Sequence, residues 1–167
     1  MEQNAEQYAE NYPNVKRVSD SLTEQAYMIR ARHTNSAGRL FGGNLMAWID
    51  EIGGMAARRH AGSPVTTAAV DSLQFTKPVL PGQTAVLVAR VTHVGRTSME
   101  VRVDTYVEYL DGRRELVNRA YLVFVAVKGD KPCPVPGLLL ETEEERLEWE
   151  AGVRRDELRR QRRKEGF

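Results

Sequence analysis

A single helix-period segment opened by two glycines and followed by four long period-two runs leaves this chain few ways to fold. Beyond Gly42-Gly43, the residues Leu45, Ile49, Ile52 and Ala56 recur at helical spacing, with Met46 and Met55 beside them. The spacing predicts one helix reaching about Arg59 or His60, roughly 25 Å long at about 1.5 Å per residue. Gly53-Gly54 falls inside it, and an interior glycine costs roughly 1 kcal/mol relative to alanine. A close-packed neighbour on that face is therefore expected. After Pro64 the period drops to two, over Val65–Phe75, Thr84–Val94, residues 98–109 and residues 115–127. The third run places Met99, Val101, Val103, Thr105 and Val107 on one face and Glu100, Arg102, Asp104, Tyr106 and Glu108 on the other. Pro81-Gly82, Gly95-Arg96 and Asp111-Gly112 mark tight turns between the runs. Residues 25–32 read as one further, earlier strand.

Strands of this length joined by tight turns are antiparallel neighbours spanning roughly 33 Å, enough to wrap one helix. The expected architecture is α+β: a long central helix wrapped by a curved antiparallel five- to six-stranded sheet. Such a sheet leaves open edges and a bare helix flank, so at least a dimer is expected, with the sheets continuing across it. Residues 22–137 are assigned to this unit. Residues 1–21 form a polar lead-in with a short helix around Ala5 to Glu10. Residues 138–167 form a charged helical tail, entered through the stiff segment Pro132-Cys133-Pro134-Val135-Pro136-Gly137. Thr142 and Glu145 have the spacing of a capping box. From Glu141 to Phe167 there are nine acids and eight bases, which reads either as a solvated helix laced with i,i+4 pairs or as a basic patch meeting phosphate or another subunit. A net charge of +1 over 167 residues argues against a nucleic-acid coat protein. Cys133 is the lone cysteine, so neither an intrachain disulfide nor a cysteine zinc site is available. The polar start and the lack of any long apolar run predict a cytoplasmic chain without membrane partners.

Several catalytic engines are absent from the sequence. It has no G-x-S-x-G elbow, phosphate-binding G-x-x-x-x-G-K-[ST] loop, H-E-x-x-H or G-x-G-x-x-G after a strand. His33, His60 and His93 are scattered; His60 reads as a dipole partner or solvated residue, His93 as a surface strand residue. Cys133 has no visible activating neighbour. What remains is the segment Asn35 to Asp50. The first amides of a helix starting at Gly42-Gly43 lack intrahelical partners and sit at the positive end of the macrodipole. Glycine lets a ligand oxygen approach them. Asp50, two turns on at the margin of the buried face, is either a structural hydrogen-bond acceptor or a general base. Asn35 either orients water or stabilises its turn.

Three blocks in order, T-N-x-x-G-x-x-F-G-G-x-x-M-A-x-x-D-E, D-S-L-Q-F-x-K-P and H-V-G-R-T-S-M-E-V, make the chain resemble the hotdog-fold acyl-CoA hydrolases of the cytosolic acyl-CoA thioesterase family. The resemblance runs from about Tyr27 to Pro136. It implies that Asp50 is the catalytic carboxylate, that Asn35 holds water or the carbonyl, and that Gly42 and Gly43 supply the oxyanion site. It also implies a site shared by two protomers, self-association as a dimer or trimer of dimers, and coenzyme A as a substrate moiety with no cofactor or metal required. The coenzyme's phosphates call for cations and hydroxyl or backbone donors. Gly95, Arg96, Thr97 and Ser98 offer all of these in one turn, and Lys77 is a second candidate. Phe41, Leu45, Met46 and Trp48 either shape an acyl channel or are core. The rival reading is an acyl-CoA binding module that never hydrolyses its ligand. A hydratase is a weaker one, since no histidine falls beside Asp50 in the helix.

Overall fold

A computed structural model describes residues 14–166; the short helix expected around residues 5–10 lies outside them. The central helix, α1, spans Gly42–Ala61 and ends on Gly62, whose φ of 67° is left-handed. Leu45, Ile49, Ile52 and Ala56 form its buried stripe, as their spacing requires. The close neighbour predicted at the interior glycines is Phe124: a Cβ on Gly53 would stand 3.1 Å from its ring. A methyl group here would have to push that ring aside by a few tenths of an ångström.

Strands β1 (Val15–Arg17), β2 (Thr23–Met28), β3 (Val65–Phe75), β4 (Thr84–Val94), β5 (Ser98–Glu108), β6 (Arg114–Lys128), β7 (Lys131–Pro132) and β8 (Gly137–Leu139) follow the chain. Six of them form one antiparallel sheet in the order β2-β4-β5-β6-β3, with β7 on β6. The sheet curls around α1 as the half-barrel of the hotdog fold. β2 stops at Met28, short of the expected strand, because its partner β4 begins at Thr84 opposite it. The chain then turns through a 3-10 segment at Ala31–His33. β1 pairs in parallel with β8, joining the lead-in to the segment that enters the tail.

The inner face of β5 is apolar as expected, but its charged face is buried as well: Glu100, Arg102 and Asp104 are at most 7% exposed. The cover is α2, Glu143–Glu165. Its predicted capping box forms, with Glu145 N–H donating to Thr142 Oγ1 at 3.2 Å and Thr142 N–H donating to Glu145 Oε2 at 3.1 Å. The tail is a solvated helix with an i,i+4 pair between Asp156 and Arg160, as one reading of its balanced charge had it, but one face of it docks on the sheet. Arg155 and Arg159 grip Glu100 at 2.8 and 2.7 Å, and Arg102 reaches Glu148 at 2.7 Å. Gly152 lets the helix lie flat, since a Cβ there would stand 2.7 Å from the Cβ of His93. His93 is thus buried, its ring 4.5 Å from that of Trp149, which corrects the surface reading. His60 is also fully buried, with Nε2 2.9 Å from the Pro136 carbonyl. Desolvation pushes its pKa below the usual 6.5, so it is a neutral core residue and not a solvated partner of the helix dipole.

Docking of α2 carries a pH signature. Burial opposes the charge on Glu148, but hydrogen bonds from Tyr121 and Arg155 and the charge of Arg102 outweigh it, holding the carboxyl below its ordinary 4.5. A carboxylate depressed in the folded state contributes stability that is complete above its unfolded pKa and is lost as pH falls through the folded value. Stability is therefore expected to be flat on this account above about pH 5 and to decline in more acidic solution. Denaturation midpoints measured across pH 3–7 check it; a decline centred near pH 6 would implicate histidine instead.

Candidate active site

Asp50 leaves α1 beside the buried Ile49, and its carboxylate is open to water. Its Oδ1 accepts a hydrogen bond from Thr67 Oγ1 at 2.7 Å. Thr67 lies on β3 and was missed in the sequence, where it is one of two adjacent threonines in a strand of ordinary β-formers. Only the pairing of that strand with β6, not its composition, turns this hydroxyl toward the helix.

At the start of α1, Phe41 offers no side-chain cap. Asn44 and Leu45 N–H both donate to the Phe41 carbonyl, and the Gly42 and Gly43 amides, the first donors of the helix, have no acceptor among the described residues. Aromatic rings close over them: a Cβ on Gly43 would overlap the Phe41 ring, and one on Gly42 would stand 3.2 Å from Phe75. Glycine at both positions keeps a narrow approach to the amides open. Asn35 Oδ1 accepts from Ala37 N–H at 3.0 Å and from Arg39 N–H at 3.3 Å, so this side chain builds its own turn. Its amide nitrogen has no acceptor among the described residues and remains available to a ligand.

Gly43 and Asp50 are seven residues apart on α1, roughly 10 Å along the axis, so within one chain a carbonyl held about 3 Å from the amides and its water about 3 Å from the base would reach both only at full stretch. The flank they share carries exposed apolar side chains: Phe41 just before α1, Met46 and Met55 on it, and Val70 and Phe75 on β3 are each 38–54% exposed, and β3 is an edge strand. Leu45 is core, while Trp48 stacks on Tyr27 with ring centroids 4.1 Å apart.

The phosphate candidates also separate. The Gly95–Ser98 turn is closed by Gly95 N–H donating to the Ser98 carbonyl at 2.8 Å. Thr97 and Arg96 carbonyls accept from Ala126 and Val135, so the turn is fixed by its backbone while the Arg96 side chain is exposed. Lys77 lies toward the other end of the sheet. Ser98 pairs with Val125 and Phe75 with Asn118, seven residues of β6 or roughly 23 Å apart. Lys77 is engaged by Glu115, which also accepts from Tyr109 Oη at 2.6 Å.

A two-glycine helix start, an accessible carboxylate held by a strand hydroxyl and a curled sheet around one helix are features that suit a thioesterase. The chain belongs to the thioesterase superfamily, whose profile matches residues 37–109. Within it, the acyl-CoA thioester hydrolase YkhA of Bacillus subtilis is 37% identical over 154 residues, covering 91% of this chain and 90% of its own. An acyl-CoA hydrolase from Staphylococcus aureus, solved with butyryl coenzyme A, coenzyme A and coenzyme A disulfide, superposes with a TM-score of 0.86 at 37% identity, over 90% of this chain and 93% of its own. A hexameric acyl-CoA thioesterase gives a TM-score of 0.86 at 40% identity, over 89% and 97%. The Staphylococcus protein has also been solved as alanine variants at an aspartate, at an asparagine fifteen residues before it and at a threonine seventeen after it. Asn35, Asp50 and Thr67 have the same two spacings.

Proposed function

We propose that this chain hydrolyses acyl-CoA thioesters to coenzyme A and a carboxylic acid through a site completed by a second copy of itself. The observation that carries the reading is the solvent-open Asp50 carboxylate, oriented by Thr67 on the flank of a helix whose opening amides have no acceptor among the described residues. Asp50 takes a proton from water as the oxygen attacks the thioester carbonyl carbon. The carbonyl electrons move to oxygen, where Gly42 or Gly43 N–H receives the charge; one such donor is worth roughly 10²–10³ in rate. Collapse breaks the carbon–sulfur bond, and the coenzyme leaves as its thiol once protonated. Asn35 Nδ2 positions the water or the carbonyl. No cofactor enters this chemistry. Direct attack by Asp50 to form an anhydride is the less economical variant.

The axial gap between Gly43 and Asp50 supports a site in which the helix start of one protomer faces Asp50 of its partner. The apolar α1–β3 flank is the surface that would bring them together, and dimers joined in this way can assemble further as trimers of dimers. The lone cysteine suits a cytoplasmic enzyme acting on soluble thioesters. Release of free thiol from a panel of acyl-CoAs tests the function, and binding without thiol release would overturn it in favour of a non-hydrolytic binding module.

Arg96 and its turn are assigned to the phosphates of the coenzyme, with Lys77 second because Glu115 already holds it. Arg96→Ala is expected to raise KM roughly tenfold with little change in kcat, the loss of one charge-assisted contact. Lys77→Ala should raise KM less. Steady-state kinetics decide, and an unchanged KM for Arg96→Ala would remove it from the site.

A further inference from the structure

The C-terminal helix reaches the strand that carries Thr67. Strand β3 is the sheet edge, with a single ladder partner, and its pairing with β6 is interrupted twice: between Thr67 and Ala69 and between Val70 and Ser72. Ala68 and Asp71 are the two extra residues, and neither has a partner in the ladder. Thr67, opposite Phe124, is the last paired residue before the first of these bulges, so the course of the strand on its far side is not set by continuous pairing. Asp71, the second bulged residue, turns to the outer face, where its side chain is 7% exposed. Arg159 Nη1 donates to Asp71 Oδ2 at 2.9 Å and to Glu100 Oε2 at 2.7 Å, and Arg162 closes on the other oxygen. Glu100 sits on β5, in the middle of the sheet. One guanidinium therefore ties the bulged edge to the centre of the sheet, four residues from the hydroxyl that orients Asp50.

We propose that Arg159 is a positioning residue for thioester hydrolysis, setting the β3 bulge through Asp71 and thereby the Thr67 hydroxyl against Asp50. This rests on the catalytic reading of Asp50 given above. Arg155 is the internal comparison. It grips Glu100 and Glu148 from the same helix but makes no bond to β3, so it stabilises the docking of α2 without setting the bulge.

The test is a double-mutant cycle in the full-length assembled enzyme. Arg159→Met should lower kcat about tenfold, the scale of a sub-ångström misplacement, with KM changed less than about twofold. Arg159→Lys, which keeps one donor, should recover part of that loss. In a Thr67→Ala background Arg159→Met should have no further effect on kcat. Arg155→Met should lower the denaturation midpoint and leave kcat near its starting value. If Arg159→Met does not fold, Asp71→Asn tests the same link at its other end and should reproduce the kcat loss and its disappearance in Thr67→Ala. An Arg159→Met loss of the same factor in both backgrounds, or an equal kcat loss in Arg155→Met, would overturn the inference. Should Thr67→Ala impair turnover while Arg159→Met does not, this link alone fails. Full turnover in Thr67→Ala and Asp50→Ala would overturn it together with the catalytic assignment.

Discussion

Asp50→Asn is expected to fold normally and to lose roughly 10²–10⁴-fold in kcat, the range that general base catalysis supplies. The amide is isosteric, and its oxygen can still accept the hydrogen bond that Thr67 Oγ1 donates at 2.7 Å. What it cannot do is take a proton from water. Folding should survive because the side chain is solvent-exposed and the buried stripe of α1, from Leu45 to His60, does not involve it. The expected kinetic signature is a fall in kcat with KM nearly unchanged, since the carboxylate contributes to the transition state and not to binding of the coenzyme. Thiol release under saturating substrate measures it, with circular dichroism to confirm the fold. Turnover within a few-fold of the parent would mean that some other group activates the water.

The largest effect on stability is expected at Glu100. Its side chain is wholly buried, and it accepts from Arg155, Arg159 and Thr92 Oγ1, the last at 3.0 Å. Glu100→Ala removes the central anion and leaves two guanidinium groups beneath α2 with Glu148, Asp71 and, at 3.7 Å, Asp156 to share. Breaking a buried charge cluster from one side costs about 3–5 kcal/mol, because the remaining charges stay desolvated. The contrast is Arg114, which bridges Glu24 and Glu108 in water-exposed surroundings; its removal should cost about 1 kcal/mol or less. Urea denaturation of both variants checks the difference. Equal losses would show that the Glu100 cluster behaves like a surface pair.

Much of this arrangement was legible in the sequence, for a physical reason. β5 presents an apolar inner face to a helix, and the alternation of Met99, Val101, Val103 and Val107 with charged neighbours reports that contact directly. The helix start was legible too, since two glycines before a 3.6-residue period have few other uses. The outer face of β5 was not. Glu100, Arg102 and Asp104 have the composition of a solvated surface, and Arg155, Arg159 and Glu148 of α2, more than forty residues later, cover Glu100 and Arg102, while Asp104 pairs with Arg102 and Arg119 within the sheet. Charge reads as exposure until its partner is known, which is why neither reading of the tail foresaw its docking on β5. Thr67 escaped because its role depends on the register of β3 and on two bulges, and neither leaves a mark in VTTAAVDSLQF. Asn35 was legible as to place but open as to role. The structure shows it shaping its turn with one end of the amide and leaving the other end free.

The position of α2 after the strands it covers has a consequence for how the two join. Without the helix, Glu100, Arg102 and Asp104 on the outer face of β5 would face the solvent. The helix meets them as a charged counter-surface, with Gly152 at a point of tight contact and arginines beyond it. Its docking thus dries a polar surface rather than an oily one, a step that salt in the surrounding medium should weaken.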